Sequence, residues 1–294
     1  MKTTLLITTY NWPKALELVL YSVLHQHVMP DEVVIADDGS TEETKKLIDR
    51  YAEKMPVPVI WVWQEDKGFR RTSILNKAIA KATGDYIIQV DGDVVLSSHF
   101  VEDHIEMAQK GCFVCGSRVL LSAQISKKIL DTKVVNVNLW NMPFSYVSNS
   151  FRSHVFRRLL AFRYARRIDH LRGCNMAYWR EDAIKVNGYN EDLLEWGHED
   201  AEFAYRLHFA GVRKKALKMG GIMYHLYHKE ASKAQENMHK DVLNQVKKER
   251  LVRCTNGIDQ SGLRCLNSGA ICRVAISMRI RLGWERSLLY RRVR

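Results

Sequence analysis

Ile87-Ile88-Gln89-Val90-Asp91-Gly92-Asp93 is an apolar run that ends in two carboxylates separated by one glycine. The apolar part reads as a buried strand. The carboxylates fall just past its carboxyl end, where open α/β sheets bind ligands. No Lys or Arg adjoins Asp91 or Asp93. Two like charges this close oppose each other's ionisation unless a cation joins them. A divalent ion with hard oxygen ligands would do so, and such an ion commonly shares its remaining positions with phosphates. The triplet alone is equally compatible with a solvated turn, because Asp and Gly are turn formers. Its neighbours separate the two readings.

Upstream, strands and helices alternate. Thr3–Thr8, Glu32–Ala36, Val57–Trp63 and Tyr86–Val90 read as strands. Asn11-Trp12-Pro13 offers a cap and a first-turn proline, and Leu16, Val19, Leu20, Val23 and Leu24 follow at helical spacing. Ser40 and Glu43 have the spacing of a capping box ahead of Leu47, Ile48 and Tyr51. Ile74, Leu75, Ala78, Ile79 and Ala82 mark a third helix, closed by Gly84. This alternation over residues 1–95 implies a parallel sheet with right-handed crossovers. Its strands end in Thr8-Thr9-Tyr10, Asp37-Asp38, Gln64-Glu65-Asp66 and Asp91-Gly92-Asp93, so the polar clusters share one edge. No G-x-G-x-x-G follows the first strand and no G-x-x-x-x-G-K-[ST] occurs. Phosphates at this edge therefore need cations: a metal at Asp93, or Arg70, Arg71 and Lys77. Each of those three reads equally well as part of a solvated helix start.

Hydrophobic residues make up 46% of the 294, enough for a sizeable core, and the absence of a Gly/Ser/Pro-rich linker favours one compact unit with an extension. The expected division is a catalytic domain over 1–230, made of halves 1–95 and 96–230, and a basic helical extension over 231–294. Neither a leader peptide nor a membrane-spanning segment is expected. Cys112 and Cys115 lie in an apolar segment and read as buried thiols rather than half a zinc site. The net charge of +12 suits anionic partners, and it gathers at Arg152–Arg172 and Arg273–Arg294. The first cluster reads as a solvated amphipathic helix or as a surface for membrane or lipid-linked ligands. The second, interleaved with Trp284 and aliphatic residues, reads as an interfacial anchor or a packed terminal helix. Phe113–Leu121 reads as a strand carrying Arg118.

Two later blocks add chemistry. Arg172-Gly173-Cys174-Asn175-Met176-Ala177 is one. Glu195-Trp196-Gly197-His198-Glu199-Asp200 is the other, leading into a helix with Phe203, Leu207 and Ala210 in register and Gly211 as its stop. Carboxylates at a helix N-terminus are favoured by its dipole, and the Trp196 face suits a sugar ring. Met223-Tyr224-His225-Leu226-Tyr227-His228 supplies two further histidines.

Taken together, Thr8-Thr9-Tyr10-Asn11, Asp37-Asp38-Gly39-Ser40, Gly68-Phe69-Arg70-Arg71, Asn76-Lys77-Ala78, Gly84-Asp85-Tyr86 and Asp91-Gly92-Asp93 resemble glycosyltransferase family 2. The resemblance covers about residues 3–230. It implies a GT-A fold, a Rossmann-like and mostly parallel sheet flanked by helices. It places Thr8, Tyr10, Asp37, Asp38, Gly68, Arg70, Arg71, Asn76, Asp91 and Gly92 at a UDP-sugar, with Asp37 on the base and Asp91 on the ribose or sugar. It implies Mn²⁺ or Mg²⁺ at Asp93 and His225, with His228 as the alternative histidine. The Arg172–Ala177 block resembles the loop facing the donor sugar, which brings in Asn175. The block at Trp196 resembles the W-G-G-E-D motif of β-galactosyltransferases and the chondroitin-polymerase-like branch. That likeness implies Asp200, beside Glu199, as general base, and Trp196, Gly197 and His198 at the acceptor, His198 replacing the motif's second glycine.

The implied activity is inverting transfer of galactose, glucose or an N-acetylhexosamine from a UDP-sugar to a glycan or lipid-linked glycan. The implied setting is cell-surface polysaccharide or lipopolysaccharide synthesis, in the cytoplasm or on the inner membrane face through 273–294. A sugar nucleotidyltransferase would carry a Gly-rich N-terminus, which Leu5–Asn11 lacks. A non-catalytic reading, as a degenerate transferase or a nucleic-acid binder, finds no nucleic-acid module signature in support.

Overall fold

Period-two alternation of apolar residues builds a sheet with a hydrophobic layer on each face. The computed structural model describes residues 1–133, 150–165, 168, 171–229 and 235–261. β1 (Thr3–Thr9), β2 (Glu32–Asp37), β3 (Val59–Trp63) and β4 (Tyr86–Asp91) lie parallel in the order β3-β2-β1-β4. Next along the chain come β5 (Val94–Leu96), β6 (Cys112–Gly116), β7 (Val119–Leu120), β8 (Asn175–Trp179), β9 (Arg213–Leu217) and β10 (Met223–His225). The main sheet continues from β4 through β8, β6 and β9, with β8 antiparallel to both neighbours. β5, β10 and β7 form a separate small sheet. Phe113–Leu121 is thus not one strand. Ser117-Arg118 breaks it, and its halves join different sheets.

Leu5, Ile7, Val33, Ile35, Ile88 and Val90 face one layer, while Leu6, Val34, Ala36 and Ile87 face the other. The first is covered by α1 (Pro13–Leu24), α2 (Glu42–Ala52) and later α4 (Phe100–Met107). The second is covered by α3 (Arg71–Lys81). After α5 (Ala123–Thr132) and α6 (His154–Leu160), α7 (Arg180–Lys185) and α8 (Glu199–Phe209) complete the second layer. α9 (Glu236–Glu249) packs against α8. The compact unit runs from Met1 to Leu263, so it takes in α9 and passes the boundary expected at 230. The remainder, Arg264–Arg294, lies outside the described residues, and with it the tail expected to meet a membrane. No helix among the described residues is long and apolar enough to cross a membrane.

Two local expectations give way to longer-range contacts. The capping box does not form: Thr41 is the N-cap of α2, and the Ser40 hydroxyl instead accepts from the Asn11 amide at 2.8 Å. The Asn11 side chain returns a bond by accepting from the Thr41 amide at 2.9 Å, which ties the β1 and β2 ends together. In the basic segment the charges do not all face outward. Arg157 is buried against Asp103 and Glu106 (2.6 and 2.9 Å), while Val155, Phe156 and Leu159 are exposed. Cys112 and Cys115 are buried and free, as expected.

The second layer also buries a charge pair. Arg206 meets Glu202 one turn away and donates to the Val186 and Gly188 carbonyls at 2.5 and 2.7 Å. Truncating it would strand a buried carboxylate and two carbonyls. Arg206→Ala should therefore destabilise the fold by about 3–5 kcal/mol. Urea unfolding checks this, and a loss below ~1 kcal/mol would contradict the packing described.

Candidate active site

Strand ends create the cleft. Its volume is about 810 Å³, and it opens at the carboxyl ends of β1, β2 and β4. Gly92 lets the chain turn there, because a Cβ would stand 2.5 Å from the Thr8 carbonyl oxygen. Asp91 ends β4 and accepts from the Thr8 hydroxyl at 3.0 Å. Asp93 precedes β5, which pairs antiparallel with β10 so that Val94 faces His225. The Leu226 amide also donates to the Asp93 carbonyl at 2.9 Å. The small sheet therefore carries His225 to the end of the aspartate triplet.

Arg71, at the first turn of α3, joins the two acidic blocks. Its Nη2 donates to Asp91 at 2.9 Å, and its Nη1 to Glu199 and Asp200 at 3.2 Å each. Burial disfavours its charge, but the three carboxylates outweigh that and hold its pKa well above the ordinary arginine value. Burial likewise works against Asp91, yet Arg71 keeps that carboxyl below its usual range. Asp200 differs. Burial, helped by the Glu199 and Asp91 charges and opposed by Arg71, pushes its carboxyl up to about 6. A Cβ on Gly173 would stand 1.8 Å from Asp200 Oδ2, so only glycine allows that loop over the carboxylate. Glu199 Oε2 accepts from the Gly197 amide at 3.0 Å.

The loop before α8 holds left-handed residues at Glu195 (φ 65°), Gly197 (φ 128°) and His198 (φ 61°). Glycine adopts such angles without a Cβ clash. His198 thus carries strain that the motif's second glycine would avoid. The buried ring of His239 in α9 bonds the Gly197 carbonyl and steadies this loop. No local pattern marks that contact, which spans 42 positions.

Asp93 faces two imidazoles. His225 Nε2 lies 3.5 Å from its Oδ1, and His228 Nε2 lies 3.2 Å from its Oδ2. Both Nδ1 atoms contact backbone carbonyls, of Leu226 and Lys229, at 2.9 Å. A carbonyl only accepts, so each Nδ1 carries the hydrogen and each Nε2 is the ring atom turned toward the carboxylate. Asp93 Oδ1 is buried with no hydrogen-bond partner. Burial and the Asp91 charge push the Asp93 carboxyl above its usual range, and the imidazoles offset only part of this. Two imidazole Nε2 atoms converging on a carboxylate with an orphaned buried oxygen make a donor set that fits a divalent cation. Asp93, His225 and His228 each offer one ligand atom, all within 4.8 Å of one another.

Other expected residues are placed as follows. Thr8, Tyr10, Asp38, Arg71, Asp91, Gly92 and Trp196 line the cleft. Arg71 is committed to carboxylates there rather than standing free for phosphates. Asp37 is not at the cleft: it is fully buried, accepting from the Ser40 amide (2.8 Å) and the Trp61 indole (3.0 Å). Its neighbour Asp38 lines the cleft instead. Asn76 is also buried, clasping Tyr189 and Glu191. Asn175 is spent on His104 and on the Ser117 and Gly221 carbonyls. Both amides lie outside the cleft lining and bond to neighbouring loops. Arg70 gives its amide to Asp38 and its guanidinium to the Glu65 carbonyl, outside the lining. Gly68 adopts φ 83° with open space around it, and Gly197 and His198 support the acid loop from behind the lining. The cleft also recruits Trp12, Arg118, Arg172 and Lys229. Arg118 and Arg172 were legible as cations, but their convergence needs the β6–β7 break.

A family model described as glycosyl transferase family 2 matches residues 4–186, more than half the chain. A second, described as the N-terminal domain of galactosyltransferase, matches residues 153–229. Chondroitin synthase of Pasteurella multocida (strain Pm70) is 25% identical over 246 residues, which cover 76% of this chain. The match spans only 24% of that relative's length. Among solved structures, S. aureus TarS 1-349 in complex with UDP-GlcNAc superposes with a TM-score of 0.58 at 16% identity, covering 89% of this chain and 69% of that one. The mannosyltransferase PcManGT from Pyrobaculum calidifontis, in complex with GDP-Man and Mn²⁺, gives 0.54 at 19%, covering 78% and 58%. These likenesses establish the GT-A fold.

The Asp93 cluster predicts a metal response separable from turnover. Mn²⁺ should raise the melting temperature of the wild-type chain, as ligands of the native state do, and Asp93→Ala should abolish the rise. Equal stabilisation of both would contradict a metal at Asp93.

Proposed function

We propose that this chain, which belongs to glycosyltransferase family 2, moves a hexose from a UDP-sugar to a glycan hydroxyl with inversion at the anomeric carbon. The observation that carries the reading is Asp200. It is a cleft carboxylate whose pKa is pushed to about 6, in the same cleft as the Asp93 cluster and beside the exposed face of Trp196. A base works best when its pKa lies near the operating pH.

In this reading Asp38 and Tyr10 receive the nucleotide at the β1 and β2 ends, and Asp91 meets the ribose or sugar. A divalent cation held by Asp93, His225 and His228 supplies positive charge for the diphosphate leaving group. Trp196 stacks on the acceptor ring and orients its hydroxyl toward Asp200. Oδ1 of Asp200 is anchored by Arg71, which leaves Oδ2 to take the hydroxyl proton as the acceptor oxygen attacks. Glu199 keeps Arg71 in place. The TarS complex with UDP-GlcNAc and the PcManGT complex with GDP-Man and Mn²⁺ support a nucleotide-sugar and metal reading. Chondroitin synthase supports a polysaccharide product. In this reading the enzyme works in the cytoplasm or on the inner face of the membrane, on a glycan or lipid-linked glycan acceptor.

Asp200→Asn should bind UDP nearly as the wild type does yet lose at least ~100-fold in kcat, within the range of roughly 10²–10⁴ for a general base. A defect confined to KM would contradict a base at this position. The wild-type rate should fall as pH drops through about 6, where Asp200 gains its proton. A rate flat from pH 5 to 8 under rate-limiting chemistry would contradict the assignment.

A further inference from the structure

Three strand ends bring a thiol to the acidic edge. β8 runs antiparallel to β4, and the register pairs Asn175 with Val90. One step further along that ladder, Cys174 comes beside Asp91. The pairing of β10 with β5 carries His225 to the same end. Asp91, Cys174 and His225 each offer one ligand atom, all within 4.8 Å of one another. Of the four described cysteines, all free, Cys174 is the one that lines the cleft.

Each of the three has an atom to give. Both described bonds of the Asp91 carboxylate, from Thr8 and Arg71, use Oδ1, which leaves Oδ2 for an ion. The Nδ1 hydrogen of His225 is held by the Leu226 carbonyl, so Nε2 is the ring atom an ion would take. Burial pushes the Cys174 thiol up to about 12, and the neighbouring Arg118 charge opposes this. A coordinated thiol is deprotonated outright, so an ion entering here takes the place of that proton.

This donor set differs from the one at Asp93. A carboxylate with two imidazoles accepts manganese or zinc. A thiolate selects softer ions, and affinities rise from Mn²⁺ to Zn²⁺. Zinc sites with an open position commonly have three protein ligands. Bonds of about 2.0–2.3 Å set the ligand atoms of a tetrahedral ion roughly 3.3–3.8 Å apart, so these three need at most about 1.5 Å of closure. All three residues line the cleft, so water or a ligand oxygen there can complete the set.

We infer that Cys174, His225 and Asp91 form a second metal seat, selective for zinc, which shares the His225 imidazole with the Asp93 cluster. Its consequence rests on the manganese reading above. One Nε2 serves one ion, so zinc and manganese exclude each other. Zinc in this seat takes a ligand from the Asp93 cluster and occupies Asp91, and it acts as an inhibitor that competes with manganese.

The test uses the full chain and three ions. Co²⁺, standing in for zinc, should give a near-ultraviolet thiolate-to-cobalt charge-transfer band in the wild type. The band should vanish in Cys174→Ser and Cys174→Ala and persist in Asp93→Ala. Free Mn²⁺, followed by its paramagnetic resonance signal, should rise as Zn²⁺ is titrated into the manganese-loaded wild type. The same release from Cys174→Ser should need about tenfold or more zinc, the least expected when a metal ligand is lost. Both Cys174 variants should keep their Mn²⁺ affinity, which also shows that they fold. No cobalt band in the wild type, a band unchanged in both Cys174 variants, or equal zinc competition in wild type and Cys174→Ser would overturn the inference. A wild type that binds no Mn²⁺ removes the manganese reading, and the cobalt band in the same samples then decides the thiol seat by itself.

Discussion

One guanidinium holds together three carboxylates from distant parts of the chain. Arg71 starts α3, Asp91 ends β4, and Glu199 and Asp200 start α8. Their contacts lie between 2.9 and 3.2 Å. Without that charge the carboxylates would repel one another in a partly buried space. Breaking a buried pair by removing one partner typically costs about 3–5 kcal/mol. The arrangement also divides the labour of the acids. Asp91, closest to Arg71, is held ionised. Asp200 shares Arg71 with Glu199 and retains a pKa near 6. Asp93 receives nothing from Arg71 and faces only the two imidazoles. Arg71 is taken up by these carboxylates, so in the proposed reading a diphosphate draws on Arg118, Arg172 and Lys229 of the same cleft and on a cation at Asp93.

The elements that position this hub were legible because their signals are local. Strands of period two and helical stripes such as Leu16–Leu24 and Ile74–Ala82 depend on nearby residues alone. The ends of those strands therefore fell on one edge. Asp91, Asp93, Asp200 and His225 were legible as residues for the same reason, each sitting at a predictable element boundary.

What escaped the sequence depends on partners far along the chain. Asp37 and Asp38 are adjacent carboxylates at a strand end, and nothing in their order says which faces the cleft. The Trp61 indole, one strand away, claims Asp37. Asn76 and Asn175 look like ligand-binding amides, but their bonds go to Tyr189 and to Ser117. Arg70 and Arg71 differ only in the direction each leaves the start of α3. The basic segment at α6 read as amphipathic with its charges outward. Asp103 and Glu106 of α4 break that pattern by drawing Arg157 inward. Ser40 had a capping spacing, yet the Asn11 amide was a better placed donor.

The account turns on a nucleotide diphosphate entering an acidic cleft through a cation at Asp93. Calorimetric titration with UDP, in the presence and absence of Mn²⁺, addresses that directly. Binding that requires Mn²⁺ is the expected result. Equal binding without the metal, or none in either condition, would contradict it.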